Sequence, residues 1–244
     1  MYLKLYTETD IGKIRETNQD MSYGEVMSEN IAWTVVCDGM GGTGGGDIAS
    51  NMAVDEIKKI LSKELKEGLD GQNIKYILEN AVKSANGVVF DATQKDEALK
   101  KMGTTVVLCV MYNGDLYVIH AGDSRAYISD DSEIKQITTD HSIVQEMVAL
   151  GDITKEQAKT HPQKNIITRA LGIREEVEPD YQQIPLDKEC LVLLCTDGLT
   201  NHLNDEEIHK ICSKNKLDEV AEALVNEANN CGGTDNITVS ILKI

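Results

Sequence analysis

Residues 104–138, TTVVLCVMYNGDLYVIHAGDSRAYISDDSEIKQIT, constrain the fold more than any other part of the chain. They form a succession of short runs rich in Val, Ile, Leu and Tyr. The runs are cut by Asn113-Gly114 and by a polar turn at Asp130-Asp131. Asn-Gly between two such runs is a strong hairpin signal, because both residues accept the positive φ of a two-residue turn that matches strand twist. The segment therefore predicts an antiparallel meander.

Helices surround it. From Asp47, the apolar positions Ile48, Met52, Ile57, Ile60, Leu61 and Leu65 recur at helical spacing. After a turn containing Gly68 and Gly71, a second helix carries Ile74, Ile77, Leu78, Ala81, Val82, Ala85, Val88 and Val89. Residues 2–9 and 31–37 read as strands. Residues 141–170 predict short helices in an irregular insertion, with Gly151 as a helix stop and Thr154-x-x-Gln157 as a capping box. Strands return at about 177–184 and 190–196. Helices follow at 205–213, opened by Asn204-x-x-Glu207, and at 217–229, and NITVSILKI closes the chain. Paired helices with antiparallel strands between them predict an α+β fold of sheets covered by helical layers. No linker, repeat or low-complexity segment divides the 244 residues, and 41% hydrophobic content supports a substantial core, so a single domain over 1–244 is expected.

Composition removes several function classes. The net charge of −17 argues against nucleic acid and anionic membranes as partners, since both demand basic patches. No apolar run approaches the roughly 18–20 residues of a membrane span, and MYLKLYTETD lacks the layout of a signal peptide. Six cysteines without a C-x-x-C pair read as reduced thiols, which places the chain in the cytoplasm. Only four arginines occur, Arg15, Arg125, Arg169 and Arg174, so phosphate recognition would have to be concentrated at them.

The stretch VVCDGMGGTGGGDIAS, residues 35–50, holds six glycines in the eight positions 39–46. Gly39-x-Gly41-x-x-Gly44 matches the dinucleotide fingerprint G-x-G-x-x-G, but a Rossmann unit requires a parallel strand directly after the helix. Here a second helix and antiparallel hairpins follow. Asp38 would also aim a carboxylate at a pyrophosphate bound at the helix N-terminus. No Lys-Ser/Thr follows the glycines, so a P-loop is excluded too.

Asp38 has company. VIHAGDSR (Asp123), LLCTDGL (Asp197) and GGTDNITV (Asp235) each place an aspartate beside glycine or a tight turn at a predicted strand end. Asp20, in RETNQD, lies in the predicted loop before the second strand. Any one of these is also what an ordinary turn looks like. Together, acids converging at strand ends would repel unless cations neutralised them, and hard oxygen ligands suit Mg²⁺ or Mn²⁺ rather than zinc. The glycines would let the backbone turn beside the ions, with the Gly39 carbonyl as a further ligand. Two adjacent divalent ions bridged by a hydroxide generate a nucleophile for in-line attack at phosphorus. Arg15, in the loop before Asp20, is placed to hold phosphate oxygens. Other phosphatase chemistries lack their signatures: no C-x₅-R, no D-x-D, no GDxHG and no G-x-S-x-G is present.

The segments RETNQD, VVCDGMGG, MGTT, HAGDSR, TTDHS, NIITRALG, LLCTDGL and GGTDNITV, in this order from Arg15 to Val239, resemble the metal-dependent protein phosphatases (PPM, type 2C), and DGMGG resembles their bacterial branch. The resemblance implies a four-layer αββα sandwich of two antiparallel β-sheets flanked by helix pairs. It implies a phosphoserine/phosphothreonine phosphatase that attacks with a dimetal-bridging hydroxide and forms no covalent intermediate. Asp38 would bridge two Mn²⁺ or Mg²⁺ ions, Asp197 and Asp235 would hold the first, and Asp20 and the Gly39 carbonyl would serve the second, partly through water. Asp123, with Asp197, matches the site of a third, weaker ion, and Arg15 the phosphate-binding arginine. Residues 141–170 match the family's flap. The implied partners are phosphorylated proteins and a cognate serine/threonine kinase, with the chain a monomer.

Met40 stands where eukaryotic relatives carry a histidine proposed as general acid, and methionine cannot donate a proton. His141 reads as a structural histidine hydrogen-bonded to Asp140, with supply of that proton as the alternative, His120 as a core residue or one that supports a site residue, and Arg125 and Arg169 as braces for carboxylates and loops. Alternation turns Cys37 away from Asp38. Within the resemblance, a phosphatase of anti-sigma-pathway regulators and a catalytically silent phosphoprotein-binding pseudophosphatase are the alternative readings.

Overall fold

Along the chain, β1 (Lys4–Asp10), β2 (Asp20–Val26) and β3 (Ile31–Met40) precede two long helices, α1 (Gly46–Glu64) and α2 (Gly71–Lys95). The short β4 (Gly103–Thr104) leads into the meander β5 (Val106–Tyr112), β6 (Asp115–Ala121), β7 (Arg125–Ser129) and β8 (Ile134–Gln136). Then come α3 (Ile143–Leu150), α4 (Lys155–Lys159), β9 (Asp180–Pro185), β10 (Leu191–Cys195), α5 (Asp197–Thr200), α6 (Asp205–Lys214), α7 (Val220–Asn230) and β11 (Ile237–Lys243). This computed structural model describes residues 3–41, 44–186 and 190–243. Tyr2, Gly42, Thr43 and Ile244, which the sequence reading assigns to strands or to the glycine run, lie outside the described residues.

Asn113-Gly114 forms the expected turn, with φ of 51° and 89°, and pins β5 against β6 from Val106↔Ala121 to Tyr112↔Asp115. One sheet runs β2-β3-β5-β6-β9, with β4 paired to the end of β3. The other runs β1-β11-β10-β7-β8, and every described strand pair is antiparallel.

Antiparallel sheets often leave one face wet, yet β3, β5 and β10 read as nearly continuous apolar runs. The core explains why. Ile31, Trp33, Val35 and Cys37 of β3 point to α1 and α2, where they meet Ile57, Leu61, Leu78 and Val82. Ala32 and Val36 point the other way and meet Val192, Leu194 and Leu242 of the second sheet. Leu193, Cys195, Val239 and Ile241 then face Ile208, Leu224 and Val225 of α6 and α7. The period of two thus feeds three apolar interfaces, and the layers stack helix, sheet, sheet, helix. Each fully buried Leu, Ile or Val contributes about 1.5–3 kcal/mol to holding them together.

Helix ends follow local chemistry. Asp70 caps α2 through Asn73 N, and Thr154–Gln157 and Asn204–Glu207 form the two expected capping boxes. Gly151 ends α3 in the left-handed conformation. The six cysteines are free. Among the described residues, no helix is long and apolar enough to cross a membrane.

Three elements differ from expectation. Asp20 does not sit in a loop but opens β2, whose DMSYGEV sequence has Ser, Gly and Glu where a strand signal needs branched or aromatic residues. Pairing with β3 makes it a strand. The short α5 follows β10 directly, and α7 begins at Val220 rather than at 217.

Candidate active site

Antiparallel pairing places the far ends of β3, β6 and β10 beside the starts of β2, β5, β7 and β11. The five aspartates therefore gather at one end of the sandwich. Asp38 lies in the last residues of β3, opposite Asp20 in the β2–β3 register. Asp123 occupies the turn between β6 and β7. Asp197 starts α5 immediately after β10, and Asp235 comes two residues before β11.

The electrostatics register this convergence. Burial holds the Asp38 carboxyl well above the usual carboxylate range, and Asp20, Asp197, Asp123 and Asp235 each push it further. Burial lifts Asp20 to about 7, against the hydrogen bonds that its Oδ2 accepts from Thr238 Oγ1 (2.7 Å) and Thr196 Oγ1 (2.9 Å). Asp123 is lifted to about 7 by burial, then by Asp197 and Asp140. Asp197 is raised by burial and by Asp235. Asp20 Oδ1 and Asp197 Oδ1 are buried without a hydrogen-bond partner. Like charges at close quarters, hard oxygen donors and orphaned buried acceptors together fit divalent cations held here.

Arg15 is the cation at the rim. Its Nη2 donates to Asp235 Oδ2 at 2.7 Å while half the side chain stays exposed. That hydrogen bond, with the charges of Asp235, Asp38 and Asp197, raises its pKa still further, so it is permanently charged. Asn236 anchors its loop: Nδ2 donates to Ile11 O and Thr17 O, both at 2.9 Å, and Oδ1 accepts from Gln19 N.

Several supporting residues carry no aspartate and were missed as functional. Thr105 Oγ1 accepts from Asp38 N (2.9 Å) and shares a hydrogen bond with Ser124 Oγ (2.6 Å), while Thr104 Oγ1 donates to Asp38 O (2.9 Å). The MGTT segment was the available signal. Asn201 Nδ2 donates to Asp197 Oδ2 (2.9 Å), and Lys164 of the 141–170 insertion reaches Asn201 Oδ1 at 3.2 Å.

Gly39 is required by close approach. Its N–H donates to Gln19 O at 3.1 Å, and a Cβ at Gly46 would come within 2.6 Å of the Gly39 carbonyl. A Cβ at Gly39 would strike the Gly46 and Gln19 carbonyls in turn. Gly39→Ala should therefore cost about 1–3 kcal/mol of stability in thermal unfolding. It should also weaken divalent-cation binding to the aspartate cluster about tenfold in calorimetric titration, since the β3 end must move off α1.

One expected contact is wrong. His141 does not bond to Asp140, which is gripped instead by Arg125 (Nε at 2.9 and 3.1 Å, Nη2 at 2.7 Å) and by Gln136. The His141 ring turns to Gly122 N and Asp180. Arg169 braces Asp180 as well, and His120 is buried in β6, so those two expectations agree with the structure. Met40 is half-buried at the end of β3, paired with Gly103, and Cys37 lies in the helix-facing core.

Layering of this kind is the fold of the type 2C protein phosphatases. The crystal structure of Stp1, a serine/threonine phosphatase from Staphylococcus aureus, superposes with a TM-score of 0.93 at 33% identity, covering 100% of this chain and 96% of that one. The catalytic domain of the serine/threonine protein phosphatase PstP, solved with two manganese ions, superposes with a TM-score of 0.85 at 30% identity, covering 99% and 97%. A curated serine/threonine phosphatase of Listeria monocytogenes is 38% identical over 239 residues, 96% of this chain and 93% of its own length. The protein phosphatase 2C family model matches residues 14–236, and the chain belongs to that family.

Proposed function

We propose that this chain dephosphorylates phosphoserine and phosphothreonine in proteins by direct hydrolysis, with no phosphoenzyme, using a pair of Mn²⁺ or Mg²⁺ ions held by the aspartate cluster. The observation that carries this reading is that Asp38 feels the charge of all four other predicted aspartates. In this reading Asp38, Asp197 and Asp235 would hold one ion, and Asp38, Asp20 and the Gly39 carbonyl the other. Such ions would supply an acidified water for attack at phosphorus and charge to offset the phosphoryl group. Thr104 and Thr105 fix the Asp38 backbone, so the carboxylate needs no reorganisation when substrate arrives. Arg15 trades its contact with Asp235 for two phosphate oxygens and so orients the ester. Met40 supplies no proton at any pH, so the leaving alkoxide takes its proton from solvent.

The manganese-bound PstP catalytic domain and the phosphatases of Staphylococcus and Listeria support this assignment. The partners on this reading are phosphoproteins and the kinase that makes them. The charge of −17 and the free cysteines support a cytoplasmic chain that works away from nucleic acid.

Phosphate release from a phosphothreonine peptide should need Mn²⁺ or Mg²⁺ and stop in EDTA; release that persists after chelation rejects the reading. Arg15→Ala should raise KM for that peptide roughly 10–100-fold, the worth of one or two charge-assisted hydrogen bonds, with kcat changed much less. An unchanged KM removes Arg15 from the phosphate site.

A further inference from the structure

We propose that His141 is a positioning residue, which holds the Gly122-Asp123 turn so that Asp123 can take up a divalent cation, and which ties that turn to the 141–170 insertion. The inference rests on the metal-centre reading above and extends it to a residue that reading does not use.

One residue satisfies both backbone groups of Gly122. The His141 N–H donates to Gly122 O at 3.0 Å, and His141 Nδ1 accepts from Gly122 N at 3.2 Å. The turn has little slack: Gly122 adopts φ +119°, and a Cβ there would lie 2.6 Å from the Thr105 side chain. Two residues beyond Gly122 on the other side of Asp123, Ser124 is tied to Thr105, and Arg125 is tied to Asp140. The Asp140-His141 dipeptide thus grips the Asp123 turn from both flanks.

The imidazole is itself fixed. It is buried, stacks on His120 with centroids 4.6 Å apart and planes 13° apart, and places Nε2 3.3 Å from Asp180 Oδ2. Arg169 Nη1 holds the other Asp180 oxygen at 2.6 Å, while His120 Nε2 donates to Thr139 O at 2.9 Å. His120, His141 and Asp180 bring ligand atoms within 4.8 Å of one another, the spacing of a metal site. The hydrogen bonds decide otherwise. Nδ1 is taken by the Gly122 amide, and Nε2 lies 3.3 Å from Asp180 Oδ2 and 3.2 Å from the cationic Arg169 Nη1, so a metal ion at Nε2 would meet a guanidinium.

The same residue reaches the insertion. His141 O accepts from Thr168 N at 2.7 Å, and the next residue, Ser142, bridges Ile167. Both ends of the 141–170 segment therefore meet at the residue that holds the Asp123 turn.

The test is Mn²⁺ titration calorimetry on chelator-stripped protein, with thermal unfolding run alongside. Asp123→Asn identifies the binding class that depends on Asp123. His141→Ala and His141→Gln should weaken that same class about tenfold or more and leave the remaining Mn²⁺ binding unchanged. His141→Asn puts an amide oxygen where Nδ1 stood and should restore affinity to within about threefold, a rescue that general loosening of the fold would not give. The inference is overturned if the Asp123-dependent class is unchanged in His141→Ala, or if Asn and Gln behave alike. Where the alanine variant unfolds, the Asn–Gln pair carries the comparison. Wild-type protein that takes up no Mn²⁺ would overturn the metal-centre reading itself, a different result from a normal wild type with an indifferent His141.

Discussion

Asp38→Asn should abolish phosphate release and, in EDTA, make the protein more stable. The substitution is nearly isosteric and leaves intact the backbone hydrogen bonds to Thr104 and Thr105. What it removes is a carboxylate that meets the charge of all four others. If the cluster holds cations as proposed, they would lose a ligand with that charge, and the rate should fall by roughly 10³-fold or more, the scale on which single electrostatic groups act in active sites. Stability moves the other way. Burial and four neighbouring carboxylates oppose ionisation of Asp38, so in metal-free protein at neutral pH folding must either bury its charge or take up a proton, a cost that the neutral amide does not carry. A higher melting temperature in EDTA, with no further rise on adding Mn²⁺, is expected. A variant that melts lower than wild type in EDTA, or keeps more than about a tenth of the activity, would contradict this account.

The stabilisation that Mn²⁺ confers should grow as pH rises from about 4 to about 7. Asp20 and Asp123 are both lifted to about 7, well above their values in the unfolded chain. Below pH 4 both states hold these protons and there is no penalty. Between the two values the unfolded chain releases them while the folded protein keeps them, so each step up in pH favours unfolding. Above about 7 the penalty is complete, on the order of 4 kcal/mol for Asp20. Cations that bind the ionised cluster remove this cost. At a hundredfold excess over Kd, one site adds about 2.7 kcal/mol, which for a chain of this length is a rise of about 5–10 °C in Tm. The informative quantity is the Tm with Mn²⁺ minus the Tm in EDTA, since carboxylates elsewhere cancel. Near zero at pH 4 and largest above pH 7 is expected, and a difference that is flat with pH would show that the cluster does not carry it.

Much of the site was legible because its parts are local. Asp38, Asp123, Asp197 and Asp235 each sit beside a glycine or a tight turn within a few residues of an apolar run, and such turns announce strand ends. Asn113-Gly114, Thr154–Gln157 and Asn204–Glu207 were readable for the same reason: their partners lie at most three residues away. Illegible features depended on partners far along the chain. Asp180 lies in no motif and gains its place only because β9 pairs with β6, beside His141 and Arg169. The expected His141–Asp140 contact failed because a neighbour in sequence need not be a neighbour of the ring, and Arg125 already holds Asp140.

The sequence by itself determined which segments become strands and helices, where they turn, and which carboxylates stand at the turns, since turn chemistry and apolar period act over a few residues. Only the tertiary structure decided that Asp20 opens a strand opposite Asp38, that two sheets bring five acids to one end, and that a histidine of the insertion's root holds one of them. Those outcomes rest on register and on packing between residues far apart in the chain, such as Asp20 and Thr238 at 218 positions, and no local pattern encodes them.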